Sequence, residues 1–211
     1  FTCAKEDYYT YEENIPYKID KVTNDNYTYA IRFSVEPLIN YKLYGLKSEY
    51  KFIPKDYLIN DRNVRLEILR GLMDSDGTVD KTSGIPVFST TSEKLKDDFI
   101  FLCRSLGYNV SCSLHDSKFN NTPYKSHYRI RVITNDPIFK LGRKLKLLNN
   151  FTSSYAKSKR DYTTIIDIQY SHKEQAKCIT VNNESHCYII GDFVVTHNSY
   201  YAASMLAKRF I

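Results

Sequence analysis

Apolar residues recur every third or fourth position over 63–74. Val64, Ile68 and Leu72 stand four apart, with Leu69 and Met73 beside them. That period predicts an amphipathic helix. Asp61 or Asn63 is suited to cap its start, and Gly77 marks its end. Helical spacing returns over 92–106, closed by Gly107, and again over 136–148. Alternation of apolar and polar positions predicts strands at 27–34, 87–90, 108–114 and 128–134. From about residue 163 the pattern becomes short alternating runs at 163–170, 177–182, 187–190 and 193–196. Polar turns at 171–175, 182–185 and 191–192 separate them, which reads as a compact all-β segment. Helical spacing then resumes over 199–210.

The pattern also repeats. Phe1-Thr2, with Glu6, echoes Phe88-Ser89, with Glu93, and Tyr29-Ala30-Ile31-Arg32 echoes Tyr128-Arg129-Ile130-Arg131. Pro37 and Pro137 follow these strands and lead into short Leu/Ile-rich helices. Four matches in one order predict two α/β halves related by a pseudo-twofold axis. The second half is preceded by the helix ending at Asp76. The first lacks such a helix, and the chain opens on Phe1 rather than Met, so an upstream counterpart is expected.

Composition narrows the classes. Of 211 residues, 42% are hydrophobic and 26% charged, which is globular rather than disordered. No apolar run approaches the roughly 18–20 residues of a membrane span. The five cysteines are odd in number and none form C-x-x-C, which fits a reducing cytosol better than a disulfide scaffold or zinc ribbon. The net charge of +6 is suggestive of nucleic acid only if the basic residues cluster.

The helix at 69–77 reads L-R-G-L-M-D-S-D-G. Gly71 and Ser75 share one face, where small residues let a second helix approach closely. Gly71 costs the helix about 1 kcal/mol relative to Ala, so close packing is the expected compensation. Asp74 and Asp76 stand at the negative end of the helix dipole. An acid pair in that unfavourable place points to a bound cation, and hard Mg²⁺ takes carboxylate oxygens, keeps waters and bridges to phosphate.

This stretch resembles the LAGLIDADG motif of homing endonucleases, with Arg70, Met73 and Ser75 as departures. Lys51-Phe52-Ile53-Pro54 is similar to the K-x-I-P element that precedes the second such motif in intein-borne endonucleases. The resemblance implies two motif helices packed face to face, Gly71 and Ser75 lying in that seam. It implies Asp76 as a catalytic Mg²⁺ ligand, Lys51 as a catalytic or phosphate-contacting base, and double-stranded DNA as partner. Arg32, Arg129 and Arg131, on the strands of a DNA saddle, are the DNA-contact candidates.

At the other end, 193–199 reads F-V-V-T-H-N-S. An Asn side-chain nitrogen can attack its own backbone carbonyl, forming a succinimide and releasing the next residue. A neighbouring His can protonate the leaving amine, and a following Ser can accept an acyl group. The stretch resembles the C-terminal splice junction of inteins, and 177–190 is similar to the preceding intein block. The resemblance implies Asn198 as the cyclising residue, His197 as its proton donor and Ser199 as the first extein residue and nucleophile. His186 would assist Asn198. Cys178 and Thr196 are compatible with inteins that lack an N-terminal nucleophile and also occur in ordinary ones.

The expected fold is therefore α+β. A LAGLIDADG endonuclease domain (1–162), lacking its first motif helix, is followed by C-terminal strands of a Hint-type splicing domain (163–198) and an extein stub (199–211). The stub resembles the region after the phosphate-binding loop of a phage terminase large subunit or related ATPase. Splicing would need an N-terminal intein portion and no cofactor, and the setting would be a bacterial or phage-infected cytosol. The rivals are a freestanding endonuclease or maturase-like nucleic-acid binder, which leaves 177–199 unexplained, and a P-loop ATPase, for which no G-x-x-x-x-G-K is present.

Overall fold

A computed structural model of the chain describes residues 2–14, 20–23, 28–32, 34–119, 122–134, 136–150, 167, 169–170, 172–173, 175 and 179–197. The chain divides into two compact units, Phe1–Ser158 and Lys159–Ile211. No helix among the described residues is long and apolar enough to cross a membrane.

In the first unit, β1 (Thr2–Ala4) leads directly into α1 (Lys5–Asn14), followed by β2 (Asp20–Thr23), β3 (Thr28–Arg32) and α2 (Glu36–Asn40). The three strands form an antiparallel sheet in the order β1-β3-β2. A 3₁₀ turn (Ser48–Tyr50) and α3 (Lys55–Leu58) connect to α4 (Arg62–Asp76). Then come β4 (Gly77–Val79), β5 (Pro86–Thr90), α5 (Glu93–Ser105), β6 (Asn109–Phe119), β7 (Thr122–Ile133) and α6 (Gly142–Asn150). Their sheet runs β4-β5-β7-β6.

The expected duplication is present in the pairing. β1-β3-β2 and β5-β7-β6 have the same order. Thr2 lies opposite Ala30 as Ser89 lies opposite Arg129, and Cys3 opposite Tyr29 as Thr90 opposite Tyr128. This is the alignment that the sequence echo gives.

One face of the four-stranded sheet supplies the core. Val79, Phe88, Ile130 and Val132 are buried there with Leu69 and Met73 of α4 and Phe99, Leu102 and Cys103 of α5. Phe88 and Phe99 stack with centroids 4.2 Å apart. Register places Thr78, Ser89, Arg129, Arg131, Ser111 and Ser113 on the opposite face. Along β7, Lys125, His127, Arg129 and Arg131 alternate on that face, so basic residues do cluster on one side of the domain.

The helix ends follow the sequence signals closely. Asp61 caps α4, accepting from the backbone N–H groups of Asn63 (2.8 Å) and Val64 (3.0 Å). Ser92 caps α5 through the N–H of Leu95 (3.0 Å). Gly77 is fixed by space, since a Cβ there would stand 2.5 Å from the Met73 carbonyl oxygen.

Three expectations are corrected. The helix expected over 136–148 begins only at Gly142. Pro137 lacks a donor, and the N–H groups of Lys140 and Leu141 are held by the Asp74 carboxylate. The strands expected at 108–114 and 128–134 are longer, 109–119 and 122–133, because a polar stretch pairs across a hairpin without apolar alternation. Among the described residues of the second unit, the last two expected runs form strands, β8 (Tyr188–Ile190) and β9 (Val194–Thr196), joined by a 3₁₀ turn at Gly191–Phe193, and the run expected at 163–170 lies mostly outside the described residues. Residues 179–181 join no strand ladder among the described residues, and the helix expected over 199–210 lies outside them.

Candidate active site at the end of helix α4

Asp76 is the last residue of α4 and is exposed. Lys51, in the segment between the 3₁₀ turn and α3, is exposed too. The two line one cavity of about 260 Å³, together with Ser48, Ser89, Thr90, Thr91 and His127. The two residues that the sequence singled out for this chemistry thus come together.

Lys51 is carried there by α5. Ser92 Oγ donates to the Lys51 carbonyl (2.7 Å), and the Ile53 N–H donates to Asp98 Oδ2 (3.0 Å). Asp98 is buried and also receives the Lys94 ammonium. One serine therefore caps a helix and anchors the lysine segment.

The acid pair does not act as a pair, and this corrects the sequence reading. Asp74 is 7% exposed and points away from the solvent where Asp76 stands. Its carboxylate accepts from the Lys140 N–H (3.1 Å to each oxygen) and the Leu141 N–H (3.2 Å). Burial pushes its carboxyl above the ordinary range, against the lowering effect of those N–H groups and Lys144. The carbonyls at this helix end hold a cation of the protein's own. Lys144 Nζ, buried, donates to the carbonyls of Met73 (3.0 Å), Asp74 (2.6 Å) and Gly77 (2.6 Å). Burial pushes this ammonium below its ordinary range, and the neighbouring Arg143 adds to that. No spacing signal marks Lys144, which lies on another helix; a lysine within the apolar stripe of Leu141, Leu145 and Leu148 is its one trace in the sequence.

The departures from the motif also find partners. Arg70 donates to Glu67 Oε1 (2.8 Å) and the Pro137 carbonyl (2.9 Å), and Lys140 also pairs with Glu67. Met73 is fully buried in the core. Ser75 Oγ donates to the Leu72 carbonyl (3.1 Å). Gly71 and Ser75 lie exposed on one face of α4, and among the described residues a Cβ on Gly71 would touch nothing outside its own helix.

On the open sheet face, Arg129 Nη2 donates to Asp80 Oδ2 (2.8 Å) and Arg131 Nη2 to Ser83 Oγ (3.3 Å). Both arginines are thus tied to the β4–β5 turn. Lys125 pairs with Glu49. Arg32 stands in β3 opposite Asp20 in register. His127 faces His115 across the β6–β7 ladder, ring centroids 5.9 Å apart.

The Asp80 carboxylate also accepts from the Ser83 N–H (2.9 Å), the Ser83 hydroxyl (3.0 Å) and the Thr82 N–H (3.1 Å). These Ser83 bonds, with Thr82 and Arg129, hold it at about 2, below its ordinary 3.8. Its folded value is depressed, so its stabilisation is present above 3.8 and is lost as pH falls toward 2. Urea unfolding at a series of acidic pH values should show this slope, and Asp80→Asn should flatten it; an unchanged slope would remove Asp80 as its source.

In the second unit, β8 and β9 pair with Tyr188 opposite Thr196 and Ile190 opposite Val194. His186, two residues before Tyr188, and His197, one after Thr196, therefore fall at the same open end of the hairpin. A self-bonded turn sets His186. Its N–H donates to the Asn183 carbonyl (3.1 Å), and Asn183 Nδ2 donates to the Cys187 carbonyl (2.8 Å). His186 takes a positive φ of 52°. Thr196 Oγ1 lies 3.5 Å from the His197 carbonyl oxygen. Cys178, Asn198 and Ser199 lie outside the described residues.

Residues 63–146, from α4 into α6, match the model of the LAGLIDADG-like domain family. The chain is also 32% identical over 151 residues to the replicative DNA helicase DnaB of Mycobacterium intracellulare. That match takes in 71% of this chain and 26% of the helicase, so the chain spans about a quarter of its relative. Two solved structures of the homing endonuclease I-DmoI overlap at 16% identity, each over 69% of this chain and 78% of theirs. One, of mesophilic variants, has a TM-score of 0.41; the other, a variant with its target DNA in the presence of magnesium, has 0.40.

Proposed function

We propose that the chain combines a Mg²⁺-dependent, site-specific endonuclease for double-stranded DNA with the C-terminal splice junction of an intein. The observation that carries the nuclease reading is the meeting of Asp76 and Lys51 on one cavity beside a sheet face bearing Arg129 and Arg131.

The donor set suits a hard cation. Asp76 is an exposed carboxylate, and among the described residues no three His, Cys, Asp or Glu side chains form a closed metal cage. Mg²⁺ binds through one or two carboxylates while keeping waters and phosphate oxygens. Asp76 would hold the ion, with a second acid from an upstream motif helix packed on the Gly71–Ser75 face. When bound, the ion neutralises charge at the scissile phosphate. Lys51 brings positive charge to the same phosphate. Arg32, Arg129 and Arg131 contact backbone phosphates, which position the duplex. For Arg129 this means exchanging Asp80 for a phosphate.

For splicing, the Asn198 side-chain nitrogen attacks its own carbonyl carbon. The bond to Ser199 breaks, a succinimide remains on Asn198, the Ser199 amine leaves with a proton from His197, and the proton shed by the Asn198 nitrogen restores His197. His186, at the same end of the β8–β9 hairpin, assists, and the Ser199 hydroxyl serves as acyl acceptor in ligation. Cys178 and Thr196 tune these transfers. An N-terminal intein portion completes the splicing fold. The likeness to a DnaB helicase favours a replicative-helicase precursor as host over the terminase that 199–211 alone suggests.

The test uses the precursor and a supercoiled plasmid carrying the uninterrupted host coding sequence. Nicking or linearisation is expected with Mg²⁺ and not with EDTA. Tight binding without any strand break would favour the maturase-like reading instead. In the same preparations, mass spectrometry should find cleavage between Asn198 and Ser199, absent in Asn198→Ala. Junction cleavage persisting in that variant would sink the splicing reading.

A further inference from the structure

Lys144 meets α4 where its last turn closes. Its ammonium has three protons, and the three carbonyls of Met73, Asp74 and Gly77 take them at 3.0, 2.6 and 2.6 Å. Asp74 and Gly77 bracket Asp76 in the chain. The side chain is only 6% exposed, so this charge lies in a place where an unpaired ammonium is strongly disfavoured. The segment ahead of it is held too. Lys140 and Leu141 donate to Asp74, and Arg143 donates to Asp7 of α1 at 2.9–3.1 Å. The start of α6 is thereby fixed to α1 on one side and to the end of α4 on the other.

An acid at a helix C-terminus sits among partly negative carbonyls. A second anion, such as a phosphate, would be repelled further from that end. A cation beneath the carbonyls offsets this field and fixes the turn from which Asp76 projects. We propose that Lys144 is the positioning residue for Asp76: its ammonium ties the three carbonyls around the last turn of α4 and so presents the Asp76 carboxylate to the Lys51 cavity. This rests on the reading of Asp76 as the Mg²⁺ ligand.

The test follows Mn²⁺, as a paramagnetic substitute for Mg²⁺, by electron paramagnetic resonance. The precursor is titrated in the presence of a duplex of the uninterrupted host sequence, with the duplex-alone signal subtracted. Wild type, Asp76→Asn, Lys144→Met and Lys144→Arg are compared, each at a temperature where circular dichroism shows it folded. Asp76→Asn should lose the protein-dependent site. Lys144→Met should weaken it about tenfold or more, the scale of lost outer-shell support, and Lys144→Arg should recover most of that loss. A methionine variant with a lower Tm but wild-type Mn²⁺ affinity would show Lys144 to be a structural staple only and overturn the proposal. Lys144→Gln, neutral but still a donor, replaces the methionine variant if that one does not fold. Asp76→Asn binding Mn²⁺ like wild type would overturn the metal-ligand reading itself, and the positioning role with it.

Discussion

Asp76→Asn is expected to slow Mg²⁺-dependent nicking of the plasmid by at least about a hundredfold while leaving DNA binding in EDTA within about twofold of wild type, since the phosphate-contacting cations are untouched. The argument begins with exposure. Asp76 ends α4 in solvent, on the wall of the Lys51 cavity, and outside the core cluster. Asparagine has the same shape, so stability should move by no more than about 0.5 kcal/mol. What it removes is the negative oxygen that a hard cation requires. A metal acting on a phosphoryl oxygen contributes several kcal/mol to transition-state stabilisation, and roughly 1.4 kcal/mol is tenfold in rate. The expected loss is therefore on the order of 10²–10³-fold. Gel quantification of nicked product against time, at saturating Mg²⁺, measures it. A variant within tenfold of wild type would remove Asp76 from the chemistry, and the cavity would then need another anionic ligand.

The architecture was largely legible because it is written twice. The echo between Phe1-Thr2 and Phe88-Ser89, and between Tyr29–Arg32 and Tyr128–Arg131, reproduces the ladder register of both sheets. A side-chain period of two ties register to pattern wherever one face is buried. Helix α4 was legible for a similar reason: an apolar stripe, a capping Asp61 and a glycine required by the Met73 carbonyl all agree. The start of α6 was not. It depends on a carboxylate sixty-odd residues upstream capturing two N–H groups, a tertiary contact that leaves no local signal. The long arms of β6 and β7 escaped because polar residues such as Ser117 and Lys118 pair there through the backbone.

For the site, the residue types were readable and their division of labour was not. Asp74 and Asp76 look alike in sequence, two acids at one helix end. The structure separates them: one is buried against the start of α6, the other stands at the cavity. The carbonyls of that helix end also hold the Lys144 ammonium. Likewise Arg129 and Arg131 read as free basic residues on a strand, yet the β4–β5 turn already engages both. His127, a lone histidine on a polar strand, has no spacing signature, and the fold brings it to the cavity of Asp76 and Lys51.

Asp74→Ala should be the most destabilising change near the site, by about 3 kcal/mol. Its carboxylate is the acceptor for the Lys140 and Leu141 N–H groups, and Leu141 is itself buried. Stranding a buried donor costs roughly 1–3 kcal/mol. The change also removes the carboxylate that acts most strongly on the buried Lys144 ammonium, and losing one member of a buried charge pair is costly, about 3–5 kcal/mol where the pair is direct. Here the ammonium keeps its three carbonyl partners, so the lower end applies. Asp74→Asn retains an acceptor oxygen and should lose less. The pH dependence gives an independent sign. Burial raises the Asp74 carboxyl above its ordinary 3.8 in the folded state. The native form then keeps a proton that the unfolded chain has already released, so this group's contribution to stability falls as pH rises through that window. Asp80 acts in the opposite sense, its contribution falling as pH drops from 3.8 toward 2. Urea melts of wild type, Asp74→Asn and Asp80→Asn across the acid range separate the two slopes. An Asp74→Ala protein as stable as wild type would mean that the start of α6 does not depend on this carboxylate, and that the end of α4 is held by Lys144 alone.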